Sequence, residues 1–112
     1  MVKQGDIIKI NFNPQAGHEQ AGYRPAVIVS NDFFNKKTNL TIVCPITNTI
    51  SDFPLHVKLD ERTTTTGVIL CEYLKALDIN KRTYKIIEPL PKDILEQVID
   101  IIFAEIEIEI EN

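Results

Sequence analysis

GYRPAVIVSND, residues 22–32, decides the fold. Pro25-Ala26-Val27-Ile28-Val29 is a nearly continuous apolar run, the pattern of a strand buried on both faces. Ser30-Asn31-Asp32 follows with side-chain oxygens suited to cap a single helical turn through Phe33 and Phe34. Upstream, GDIIKINF (5–12) alternates from Ile8: Ile8, Ile10 and Phe12 face one way, Lys9 and Asn11 the other. Asn13-Pro14 ends that strand. Residues 13–23 then form a loop of about eleven residues, long for a hairpin and rich in polar groups.

Downstream, Leu40–Val43 resume a strand, and Pro45 implies a bulge or an edge. Leu55, Val57 and Leu59 face the core, while His56 and Lys58 face out. Thr63–Thr66 is β-prone, Gly67 leads into the apolar run Val68–Cys71, and Tyr84–Ile87 makes a last short strand before Pro89. From Pro91 onward, Ile94, Leu95, Val98, Ile99, Ile102 and Phe103 recur as an amphipathic helical stripe. EIEIEIE (105–111) fits either a continued helix or an alternating strand. Five or six short strands, one long loop and a closing helix predict a mainly β fold: a small, strongly bent antiparallel sheet or barrel with a C-terminal helix packed against it.

One domain accounts for 112 residues. Hydrophobic content of 44% and charged content of 25% are those of a soluble globular chain. No apolar run is long enough to span a bilayer and none has the form of a leader, so no membrane partner and a cytoplasmic location are expected. Cys44 and Cys71 sit in apolar runs without metal-ligand spacing and read as reduced core thiols. The net charge of −4 is unevenly spread. Residues 88–112 carry eight acids against Lys92 alone, net −7, while residues 1–87 hold 11 Lys and Arg against 8 Asp and Glu, net +3. A polyanion can still bind the mildly basic body.

There is no phosphate-binding glycine loop, dinucleotide fingerprint, HExxH or Cys/His cluster, so no cofactor and no metal are expected. The chemistry on offer is a set of polar loop residues: His18, Glu19, Arg24, Thr47, Asn48, Thr49, Ser51, Thr63–Thr66 and Glu72. Arg24, clamped by Pro25 at the start of a buried strand, suits a bidentate grip on phosphate, or it caps a strand end. His18 is an acid–base candidate or an exposed loop histidine. Thr47 either satisfies a turn or orients a substrate. Glu19 binds loop amides or shares in catalysis.

The chain resembles the MazF/PemK/Kid family of bacterial toxin endoribonucleases along nearly its full length. The resemblance is carried by QGDII (4–8), by NPQAGHEQAGYRPAVIVSND (13–32), which looks like P…GxEQxGxRPxxVxS, by PITNT (45–49), by TGVILCEYLKALD (66–78) and by EPLPKDIL (88–95). It implies an SH3-like, CcdB/MazF-type antiparallel β-barrel, a homodimer, and metal-independent, sequence-specific cleavage of single-stranded RNA, mainly mRNA, to 2′,3′-cyclic phosphate and 5′-hydroxyl ends. It also implies a small antitoxin whose acidic tail fills the RNA groove, with operator DNA bound only through the toxin–antitoxin complex.

Carried over position by position, the resemblance makes Arg24 the stabiliser of phosphorane charge and Thr47 the holder of the scissile phosphate or 2′-hydroxyl. His18 matches the histidine before EQ, Glu19 the acid of EQ, and Glu72 an Asp proposed as general base. Gln20, Asn48, Thr49, His56, Lys58 and Thr66 are the expected RNA contacts. The sequence departs at Leu70, where PemK/Kid-type members carry an Arg; a Leu donates no proton, so that role passes to Arg24 or His18. The competing readings are a non-catalytic CcdB-like toxin and a plain SH3-like binding module. Arg24 with Thr47 counts against the first, and the lack of Trp and of an aromatic groove against the second. Removing 105–112 is expected to spare activity, because its charge is wrong for RNA.

Overall fold

The run Pro25–Val29 sits almost wholly within β2 (Tyr23–Ile28), held antiparallel between β1 (Asp6–Asn11) and β3 (Thr41–Thr47). This is seen in a computed structural model that describes residues 1–13, 22–49 and 52–110. Ala26, Val27 and Ile28 expose nothing, as an unbroken apolar run requires. β1 is more deeply covered than its alternation implies. Lys9 is exposed, but Ile7, on the face opposite Ile8 and Ile10, is fully buried too.

β4 (His56–Lys58), β5 (Val68–Leu70), β6 (Lys75–Leu77) and β7 (Tyr84–Pro89) complete an antiparallel sheet. Its order is β4-β5-β3-β2-β1-β7, with β6 pairing β3 off this path. Among the described residues β4 and β7 do not pair, so the barrel-like sheet is open between them.

The bent sheet has an apolar cluster on each face. One joins Ile7, Val27, Cys44, Ile46, Val57 and Ile69 to Ile94 and Val98 of α2 (Lys92–Ile106). The other joins Ile8, Ile10, Phe12, Ala26, Ile28 and Val43 to Leu77 and Ile79. β1, β2 and β3 supply both.

Four local expectations are revised. The helical turn after β2 is a seven-residue helix, α1 (Asp32–Thr38), whose N-cap Asn31 accepts a hydrogen bond from Phe34 N at 2.9 Å. Pro45 makes neither an edge nor a register shift in the β2–β3 ladder. It falls where the other edge of β3 changes partner, from β6 at Thr41–Val43 to β5 at Ile46–Thr47, so its missing N–H costs no ladder bond there. Thr63–Thr66 is a turn rather than a strand, for a reason given below. EIEIEIE divides: α2 continues through Ile106, then Glu107 leaves the helix with ψ 140, and residues 107–110 join no strand. Glu105 is therefore a helical, half-buried residue, unlike the residues that follow α2.

Ile69 stands at the centre of the first cluster, between Ile46 of β3 and Val57 of β4. Ile69→Ala is expected to lower stability by about 2–5 kcal/mol, from lost transfer energy and the cavity left behind. Urea denaturation reads this as a lower midpoint with an unchanged slope.

Candidate active site

Arg24 and Thr47 lie two residues beyond the same end of the β2–β3 ladder. That ladder sets Ile28 against Val43 and Ala26 against Pro45. Continued by two residues, the same register brings Arg24 level with Thr47, and alternation puts both on the face that carries Ala26 and Pro45. Arg24 is exposed there, at the open end of the strand pair.

Thr47 borders a cleft of about 410 Å³, walled also by Thr49, Phe53, His56, Leu70, Glu72 and Tyr73. Its hydroxyl accepts a hydrogen bond from Thr49 N at 3.2 Å. That bond orients the hydroxyl, which as a donor can still reach a phosphate oxygen. That bond is the turn reading of Thr47.

β5 spaces the rest of the cleft. Val68 pairs with Thr47 on one side, and Leu70 pairs with His56 on the other. The chain then tightens into a 3-10 turn, Cys71–Tyr73, which buries Cys71 and leaves Glu72 on the cleft wall. His56 Nε2 lies 2.8 Å from Glu72 Oε2, and the Phe53 ring meets the imidazole edge-on at 5.1 Å. The expected outward-facing His56 is corrected: its side chain is only 10% exposed, because the 3-10 turn and Phe53 cover β4 on that face. Lys58, two residues on, is exposed as expected. The Leu70 departure gains a physical setting. Directly across from Leu70 in register is an imidazole, so a proton-bearing group stands beside the position that lacks one.

A second hollow, about 390 Å³, lies against the first and is lined by Lys9, Pro25, Asn48, Thr64, Thr65, Thr66 and Ile87. Thr47 lines one hollow and Asn48 the other, so the end of β3 is a ridge between them. Thr66 Oγ1 donates to Asn48 Oδ1 at 2.8 Å and fixes the ridge from the side. His18, Glu19 and Gln20, together with Ser51, lie outside the described residues.

Two features went unread in the sequence. Glu88 accepts hydrogen bonds from Thr64 N at 3.0 Å and from Thr65 N and both threonine hydroxyls at 2.8 Å. Partial desolvation opposes its charge, but these four bonds outweigh it and hold the carboxyl at about 2. The threonine run is therefore a cradle for one carboxylate, which is why it turns instead of extending. Four consecutive Thr before a Gly was the available signal. The second is Gly67, at φ +116, where an added Cβ would lie 2.2 Å from the Thr47 carbonyl oxygen. Only glycine lets β5 start this close to the end of β3.

Both features give tests. Gly67→Ala is expected to cost about 2–4 kcal/mol and to displace Thr47, read as a lower denaturation midpoint together with lost activity. Glu88 contributes stability above its ordinary value of 4.5 and loses it as pH falls toward about 2. Glu88→Gln should therefore be less stable than the parent at neutral pH, and the gap should close in that acid window. A constant gap from pH 7 to 2 in urea titrations refutes the cradle's electrostatic role.

A sequence profile described as PemK-like, MazF-like toxin of type II toxin–antitoxin system matches residues 3–103. The chain is 35% identical over 102 residues to Endoribonuclease PemK of Escherichia coli, covering 88% of this chain and 77% of that protein. It is 35% identical over 91 residues to Endoribonuclease MazF of Staphylococcus saprophyticus, covering 77% of this chain and 76% of that one. Its fold superposes on crystalline MazF from Deinococcus radiodurans with a TM-score of 0.88 at 32% identity, over 96% of this chain and 97% of that one. A MazE–MazF crystal structure from the same organism gives 0.83 at 31% identity, over 96% and 97%. Sequence profile, relatives and fold agree, and the chain belongs to the PemK-like, MazF-like family of toxins of type II toxin–antitoxin systems.

Proposed function

We propose that this chain is an endoribonuclease toxin forming a single domain, and that it cuts single-stranded mRNA at a short sequence by transesterification without a metal ion. The observation that carries this is the cleft at the end of β3, where Thr47 faces the Glu72 carboxylate and the His56 imidazole, with exposed Arg24 on the neighbouring strand β2. RNA brings its own nucleophile in the 2′-hydroxyl. A base takes the hydroxyl proton, the 2′-oxygen attacks phosphorus, the P–O5′ bond breaks, and the 5′-oxygen leaves with a proton from Arg24 or His18, yielding a 2′,3′-cyclic phosphate and a 5′-hydroxyl. Arg24 stabilises the charge that builds on the phosphorane, and Thr47 holds the phosphate. Glu72, or His18 in the preceding loop, accepts the proton. The bases on either side of the cut lie in the two hollows that flank the ridge, against Asn48, Thr49, Thr66 and His56, with the exposed Lys58 two residues further along β4.

The toxin acts in the cytoplasm, as a homodimer, and a small acidic antitoxin neutralises it by covering the same groove. Operator DNA is bound only through that complex. The MazE–MazF structure supports a partner of this kind, because the chain shares its MazF fold. Phe103 and Ile106 leave an apolar stripe exposed on α2, surface that a second copy can cover.

Purified protein incubated with a long defined RNA in EDTA is expected to produce discrete cuts bearing 5′-hydroxyl ends. No cuts, or cuts only with added Mg²⁺, would return the chain to the class of non-catalytic toxins or to a metal mechanism. Arg24→Ala is expected to lower the rate by roughly 10²-fold or more with fold and dimer intact. Near-normal cleavage in that variant removes Arg24 from the site.

A further inference from the structure

Glu72 is held on one side only. His56 takes its Oε2, while its Oε1 is buried with no hydrogen-bond partner. Among the described residues just one other buried side-chain oxygen shares that state, Oε1 of Glu105. α2, which carries Glu105, packs on the 3-10 turn that carries Glu72, and the Glu72 charge acts on Glu105. Their charges also converge on the same buried thiols, Cys44 and Cys71. Two carboxylates cannot both stay ionised and unpaired in such a place without a large cost. One proton between them removes it, because a protonated carboxyl gains a donor that an ionised one lacks.

We propose that Glu105 keeps a proton and donates it in a hydrogen bond to Glu72 Oε1, so that His56, Glu72 and Glu105 form a chain from the cleft to α2. Glu72 is then gripped on both oxygens and presented in one orientation. Glu105 touches no substrate and is a positioning residue that acts through Glu72. Consistent with this, partial burial and then the Glu72 charge raise the Glu105 carboxyl above the usual glutamate range. The other titratable groups around the chain are Lys58 of β4, Tyr73 of the turn, and the two thiols. Burial, with the nearby Glu105 and Glu72 charges, pushes Cys71 up to about 12, and Cys44 rises further, so both thiols stay neutral.

The proposal rests on Glu72 belonging to the cleavage site, so its test has two arms. In the first, the Glu105 carboxyl carbon is followed by NMR against pH in the RNA-free protein. It is expected to titrate above ordinary glutamate and to move back toward that range in Glu72→Gln, where the repelling charge is gone. Ordinary titration in the parent protein, or no movement in Glu72→Gln, overturns the chain whatever the protein does to RNA. In the second arm, cleavage is measured against pH for Glu105→Gln and Glu105→Ala, each first checked for parental thermal stability. The parent should lose rate as Glu105 gives up its proton. Glu105→Gln, whose amide donates at every pH, should lack that limb. Glu105→Ala should be slower by roughly tenfold in kcat with KM unchanged. Profiles identical to the parent in both variants overturn the positioning role. Absence of RNA cleavage by the parent removes the proposed function, and the NMR arm then decides the chain alone.

Discussion

The pairing of β2 with β3 is the constraint on which the rest of the structure depends. Both strands are buried on two faces, so each ladder position is specified twice, once by every apolar cluster it feeds. A slip of one residue would exchange Val27 with Ala26 and Ile28 across the sheet and would carry Thr47 away from the cleft face. The stability of the sheet and the placing of Thr47 on the cleft are therefore one specification.

Around that pair, the cleft is built from departures from regular structure. β3 changes partner around Pro45, β5 begins at a glycine that no side chain can replace, and the chain after β5 tightens into a 3-10 turn. Each departure puts a polar group where a continued strand would have placed it elsewhere: Thr47 on the ridge, Glu72 on the cleft wall, Thr66 against Asn48. The charges follow the same division of labour. Arg62 ties the turn after β4 to α2 through Asp93 at 2.8 Å, an exposed pair of small energetic weight. The Glu88 cradle and the His56–Glu72 pair are more enclosed and bear on the site directly.

The C-terminal helix joins these parts. Ile94 and Val98 close the first apolar cluster, and the same helix, with Glu105 near its C-terminal end, packs on the turn that carries Glu72. A segment whose composition suggests a solvated acidic face therefore also closes the core. Its acidic character and its place in the core are compatible because a helix presents different residues to each side.

The sequence by itself determined the strands of the sheet's centre, the capped α1, the amphipathic α2 and, through GHEQAGYRP and the blocks after it, the family. Those are local patterns: apolar runs, periodicity, capping oxygens and a dense motif. Only the tertiary structure decided that His56 pairs with Glu72, that the threonine run wraps Glu88, that Gly67 is needed by a carbonyl twenty residues earlier, and that α2 packs on the turn that carries Glu72. Each of these joins residues 16 to more than 30 positions apart, across strands or between helix and turn. An alternation pattern tells which face a side chain takes, but what waits on that face depends on how the sheet bends and what folds over it.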